Sequence, residues 1–175
     1  MPIMRSDIKK DLRGNINYTS ENRYKVNNFT VFVKTRPLTA RWVSGFNAAK
    51  KAIDTNNFTT GYRLGAAIYE GNRLLASASN FEVKTRPGNT AIKPDGTTYN
   101  ITCHAEQIAI DRIKYKKGHS TGLIMYVVRI NSKNNLVISK PCIMCIDYMR
   151  FYGIKIIRFI NSSGMPEEMK LVWTI

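Results

Sequence analysis

The chain has 175 residues, 43% hydrophobic and 22% charged, the balance of a folded domain rather than a disordered polymer. Lys and Arg number 27 against 12 acidic residues, a formal charge of +15, so the surface attracts polyanions and phosphorylated small molecules alike. No run approaches the roughly 18–20 apolar residues of a membrane helix, and MPIMRSDIKKDLRGN lacks the apolar centre of a secretion signal, so a cytoplasmic protein is expected.

Residues 1–38 are polar and basic and read as an N-terminal extension, with one extended apolar segment at Phe29–Val33 that Pro37 closes. The domain then runs over 39–175. Thr39 is placed to cap a helix through about Asp54, whose Trp42, Val43, Phe46, Ala49 and Ile53 recur at helical spacing. RLGAAIY and RLLASASN flank EGN, the pattern of a strand–turn–strand hairpin. FEVKTRPGNTAIKPDGTTYNIT is rich in Gly, Pro and Thr and without periodicity, so it reads as a long loop of functional type.

TCHAEQIAIDRI opens a second helix, predicted to reach about Lys117 and stop at Gly118. GLIMYVVRI is a continuous apolar run, the mark of a buried central strand. SKNN turns the chain before LVIS. Pro141 suits the first position of a third helix, which Gly153 ends. IKIIRFI and EEMKLVWTI read as the last two strands, and the short NSSG link between them argues for an antiparallel hairpin, with a brief helix at MPEEMKL as the alternative. Helices alternating with strands in this order predict an α/β layered domain, a mixed sheet of about five strands covered by helices.

Three cysteines, Cys103, Cys142 and Cys145, are too few for a disulfide framework, and metal binding or catalysis is the better reading of C-x-x-C in a chain of this kind. Zinc takes four tetrahedral ligands, one of them left to water in a catalytic site. His104, Cys142 and Cys145 supply three. The two cysteines, three apart at a helix start, point the same way, and a helix N-terminus favours thiolates. Glu106 stands about 200° around the helix from His104, beside the metal rather than on it. A carboxylate there suits a proton shuttle, since zinc lowers the pKa of water towards about 7. Taken singly, H-x-E is an ordinary helix start, and C-x-x-C also fits a redox pair or half of a structural zinc site. Cys103 and His119 read as packing and surface residues.

Together, HAE at His104–Glu106 and PCIMC at Pro141–Cys145 resemble the zinc-dependent cytidine and deoxycytidylate deaminase-like superfamily, whose signature is H-x-E followed by P-C-x-x-C. The resemblance covers Ala40 to the C-terminus and implies a three-layer α/β/α fold. It also implies that His104, Cys142 and Cys145 bind Zn2+ and that Glu106 is the general acid and base. Family members place an asparagine at the hairpin end, which here is Asn80. Free-cytidine deaminases carry Asn-x-Glu there, as in Asn80-Phe81-Glu82, with Ala105 a further substrate contact. Nucleotide-acting relatives show a basic residue and a proline after the Asn, and Lys84 and Arg86 before Pro87 match that pattern as phosphate ligands. KPCIMC is also similar to the E-P-C-x-M-C of tRNA deaminases, although Lys140 replaces the acidic residue.

The reading is a zinc-dependent hydrolytic deaminase of cytosine in a nucleoside or nucleotide, acting on a small-molecule substrate as a homo-oligomer. The short final link favours the nucleoside type. The +15 charge keeps a deaminase of polynucleotide bases as the alternative, with nucleic acid as partner. A non-catalytic zinc domain is the third reading, and the intact Glu106 argues against it.

Overall fold

The computed structural model describes residues 21–26, 29–35, 38–55, 62–82, 90–92, 96, 98–100, 102–113 and 122–173. Helix α1 spans Ala40–Asp54, and the Thr39 hydroxyl accepts a hydrogen bond from the Trp42 N–H at 3.4 Å, as the capping pattern predicts. Trp42, Phe46, Ala49 and Ile53 form its buried stripe, while Val43 is only half-buried. Helix α2 covers Ala105–Asp111 and helix α3 Ile143–Phe151. In chain order the described strands are β1 (Glu21–Val26), β2 (Phe29–Thr35), β3 (Arg63–Glu70), β4 (Arg73–Ser79), β5 (Phe81–Glu82) and β6 (Thr90–Ile92). They continue with β7 (Thr98–Asn100), β8 (Thr102–Cys103), β9 (Leu123–Ile130), β10 (Leu136–Val137), β11 (Ile154–Ile160) and β12 (Pro166–Trp173).

The main sheet has eight strands, ordered β1-β2-β12-β11-β9-β3-β4 with β10 beside β9, rather than about five. The five expected strands form an unbroken core, β12-β11-β9-β3-β4. The additions are β10 and a β1–β2 pair, whose β2 hydrogen-bonds β12 from Glu167↔Thr35 to Trp173↔Phe29. An uncovered β12 would present a row of free backbone groups, and β2 satisfies them. Among the described strands only β9 and β11 pair in parallel, as a crossover through α3 requires; β11 and β12 are antiparallel, as their short link demands.

Both faces of the sheet are covered, giving three layers. Trp42, Phe46 and Ile53 of α1 pack with Ile124, Tyr126 and Val128 on one face. On the other, Ala109 and Ile110 of α2 and Ile146 and Met149 of α3 pack with Met125, Val127 and Phe159. Alternate residues of β9 thus serve opposite layers. Two glycines permit the α1 approach. A Cβ on Gly65 would lie 2.0 Å from the Ala49 carbonyl oxygen, and one on Gly45 would lie 2.4 Å from the Tyr126 ring.

Two hairpins use one turn. In Asn131–Asn135 and Asn161–Met165, the leading Asn Oδ1 accepts from the N–H groups two and four residues on, and the fourth residue has positive φ, 60° at Asn134 and 74° at Gly164. Three local expectations change. Helix α2 ends at Asp111, with Ile113 N–H turning back to Ile110 O, short of Lys117. Pro141 precedes the N-cap Cys142 instead of opening the helix. The long loop carries two ladders, β5 with β8 and β6 with β7. Gly118 and His119 lie outside the described residues. No helix among the described residues is long and apolar enough to cross a membrane.

Candidate metal centre

The β5–β8 ladder sets the first half of the site. Phe81 pairs with Cys103 and Glu82 with Thr102, so Asn80 and His104 stand at adjoining ends of that ladder. His104 leaves it in extended conformation (φ −72°, ψ 142°) as the N-cap of α2, and its side chain makes no capping hydrogen bond. Cys142 is likewise the extended N-cap of α3, also without a side-chain cap (φ −72°, ψ 164°). Each residue therefore presents its donor atom near a helix N-terminus, where negative ligand charge is favoured.

Ser139 anchors the approach to Cys142, and the sequence reading missed it. Its hydroxyl donates to Val127 O at 2.8 Å and accepts from Ile160 N–H at 2.9 Å, while its own N–H donates to Ile160 O at 2.9 Å. A buried serine among apolar strand residues, three before the first cysteine, was the available signal. It joins β9, β11 and the segment that leads into the metal motif.

The donors converge. His104 Nδ1 lies 3.1 Å from Cys145 Sγ and 3.5 Å from Cys142 Sγ, and the three ligand atoms all lie within 4.8 Å of one another. Tetrahedral zinc, with bonds of about 2.0–2.1 Å to nitrogen and 2.3 Å to sulfur, spaces its ligands about 3.5–3.8 Å apart, so the donor set fits the ion. Cys103 and Glu106 are not members of this cluster. Burial pushes the Cys145 thiol well above its ordinary range, helped by the charges of Glu106 and Cys142. Such a thiol needs a cation to hold its thiolate form.

Glu106 sits one residue into α2 and is 1% exposed. Burial raises its pKa, against the opposing pull of its own backbone N–H and of His104. Its Oε2 has no hydrogen-bond partner among the described residues. A buried, unsatisfied carboxyl oxygen beside a metal-ligand cluster is available for proton traffic.

Asn80 is buried and locked to the strand beside it: Oδ1 accepts from Leu64 N–H at 2.7 Å, and Nδ2 donates to Tyr62 O at 3.2 Å. One amide N–H is left to offer. Ala105 is fully buried at the start of α2. Glu82 is placed by its ladder alone, and Lys84 and Arg86 lie outside the described residues.

The sequence matches the model of the cytidine and deoxycytidylate deaminase zinc-binding region over residues 44–161. Among solved structures it is similar to the dCMP deaminase of cyanophage S-TIM5, crystallised with dCMP and dUMP, at 18% identity and a TM-score of 0.48 over 69% of this chain and 81% of that one. It is also similar to the cytidine deaminase of Mycobacterium leprae, at 17% identity and a TM-score of 0.47 over 73% and 92% of the two chains. No curated protein matches it.

Proposed function

Since the chain belongs to the family of the cytidine and deoxycytidylate deaminase zinc-binding region, we propose that it is a hydrolytic deaminase converting cytosine to uracil in a nucleoside or nucleotide, with release of ammonia. The observation that carries this is the buried Glu106 carboxyl, whose Oε2 has no hydrogen-bond partner among the described residues, two residues from His104, which stands with Cys142 and Cys145 as a three-donor cluster. His104, Cys142 and Cys145 would hold zinc, which when bound supplies a Lewis acid that makes water a nucleophile near neutral pH.

The chain's own residues account for the proton movements. Glu106 passes one proton of the attacking water to the ring nitrogen N3 and the second to the departing amino nitrogen, so the water oxygen stays on C4 as the uracil carbonyl and the amine leaves as ammonia. Burial raises the carboxyl's proton affinity, as that exchange requires. Asn80 offers its remaining amide N–H to the substrate, with Glu82 on the sugar and Ala105 against the base. Lys84 and Arg86 extend the same reading to a phosphate, and a cytoplasmic homo-oligomer belongs to it as well.

Ammonia release from cytidine, deoxycytidine, dCMP and single-stranded oligonucleotides, assayed separately, tests the reading together with Glu106→Ala. The variant is expected to keep zinc and lose turnover. Freshly purified protein without zinc, or a fully active Glu106→Ala, would overturn it. Deamination of polynucleotide bases is the second reading, favoured by the formal charge of +15.

A further inference from the structure

Arg129 is the unusual arginine of the sheet. Arg41, Arg63, Arg73, Arg112 and Arg158 each donate to a protein oxygen. Among the described residues Arg129 meets only a ring: its guanidinium carbon lies 3.7 Å from the centroid of Tyr62, and its buried Nε has no hydrogen-bond partner there. A guanidinium stacked on one flat face keeps its donor edge free and its plane fixed. That arrangement suits an anion that offers two oxygens side by side to the planar donor edge, as a phosphate does.

Its place points to the metal centre. Along β9, Leu123, Met125 and Val127 pack on the α2–α3 side, and alternation puts Arg129 on that side too. Arg129 is paired with Leu64, the N–H of Leu64 binds Asn80 Oδ1, and Asn80 adjoins His104 across the β5–β8 ladder. Tyr62, which carries the guanidinium, also accepts the Asn80 amide through its carbonyl. A single row therefore runs from a metal donor, past Asn80 and Leu64, to a fixed cation with no carboxylate partner among the described residues.

We propose that Arg129, held on the face of Tyr62, binds the 5′-phosphate of a cytosine mononucleotide whose base lies at the His104 end of that row. The assignment rests on the deaminase reading above and makes the substrate a nucleotide rather than a free nucleoside. Arg129 contacts the substrate away from the reacting atoms and sets specificity, not the rate of bond breaking.

The test compares affinities by calorimetry for dUMP against deoxyuridine and UMP against uridine, in the zinc-loaded protein and in Arg129→Gln. Wild type is expected to bind the better nucleotide about tenfold or more tightly than its nucleoside, the worth of a charge-assisted hydrogen bond. Arg129→Gln should cut that ratio about tenfold, any remainder being held by Lys84 and Arg86, and Arg129→Lys should leave an intermediate ratio. A ratio unchanged in Arg129→Gln, or no phosphate preference in wild type, overturns the proposal. An Arg129 dependence seen only with oligonucleotides overturns the mononucleotide assignment. A purely structural role would lower the melting temperature and leave the ratio intact. Where Arg129→Gln does not fold, Arg129→Lys and Tyr62→Leu carry the same measurement, each with a reduced ratio expected. Ammonia assays keep the two ideas separate: a phosphate preference lost in Arg129→Gln without deamination of any cytosine compound would spare this contact and sink the activity.

Discussion

His104 and Cys142 hold the same place in two different helices: each is the N-cap, neither caps its own helix, and His104 Nδ1 lies 3.5 Å from Cys142 Sγ. A metal between them would therefore join α2 to α3. Zinc bound at a free concentration a thousandfold above its Kd stabilises the fold by about 4 kcal/mol. In a chain of this size that is about 8–16 °C of melting temperature. Chelation followed by calorimetric melting should show a fall of that order, restored by added zinc.

Zinc affinity should rise with pH. Burial holds the Cys145 thiol above its ordinary range, so the metal-free protein keeps that proton at neutral pH and zinc must displace it. Lower pH strengthens the competing proton, and higher pH weakens it. Competition with a chromophoric chelator at pH 6.5, 7.5 and 8.5, roughly spanning the range where thiol competition matters, should give a log affinity that climbs with pH. A flat profile would contradict a protonated Cys145 in the metal-free protein.

Glu106→Gln keeps the shape of the side chain and removes its ability to take a proton. Turnover of the best cytosine substrate should fall about 10²–10⁴-fold, the usual worth of a positioned acid–base group. Zinc content by atomic absorption should match wild type, because Glu106 stands outside the donor cluster.

Ser139→Ala deletes one hydroxyl and strands two backbone groups, Val127 O and Ile160 N–H. Leaving buried partners unpaired costs about 1–3 kcal/mol. Urea unfolding should register that loss. Zinc affinity should weaken with it, since Ser139 secures the segment leading to Cys142.

Arg158 and Glu168 form a buried pair, with Nε and Nη2 of the arginine 3.0 and 2.9 Å from Glu168 Oε2. Arg158 also donates from Nη1 to the Tyr126 hydroxyl and lies 4.5 Å from the Trp42 ring centroid. Glu168→Ala leaves the guanidinium buried without its counter-charge and should cost about 3–5 kcal/mol by denaturant unfolding. Arg158→Met combined with Glu168→Leu should recover part of that loss.

The metal donors were legible because thiolate and imidazole spacing is dictated by the ion and changes little with the surrounding fold. The α1 helix was legible from the Thr39 cap and its apolar stripe, and the final hairpin from a link too short for a crossover. Other features left no local trace. The pairing of β2 with β12 joins residues more than a hundred positions apart, and no window of sequence records it. Two-residue ladders such as β5–β8 carry no period to detect. Nothing local marks Arg158 and Glu168 as a buried pair, which forms only when the layer between α1 and the sheet is assembled. The α2 boundary was misplaced because Gly118 is a stop signal, whereas the helix closes earlier, through the bond from Ile113 to Ile110.

The direct pairing of Phe81 with Cys103 has a further consequence. It closes the base of everything strung between those two residues, so Asn80 and His104 are located without reference to the length of the intervening stretch. Insertions, deletions or wholesale exchange of that stretch leave the metal donors where they are. The metal donors and the intervening stretch can then diverge independently, and one can be exchanged between homologues while the other stays put.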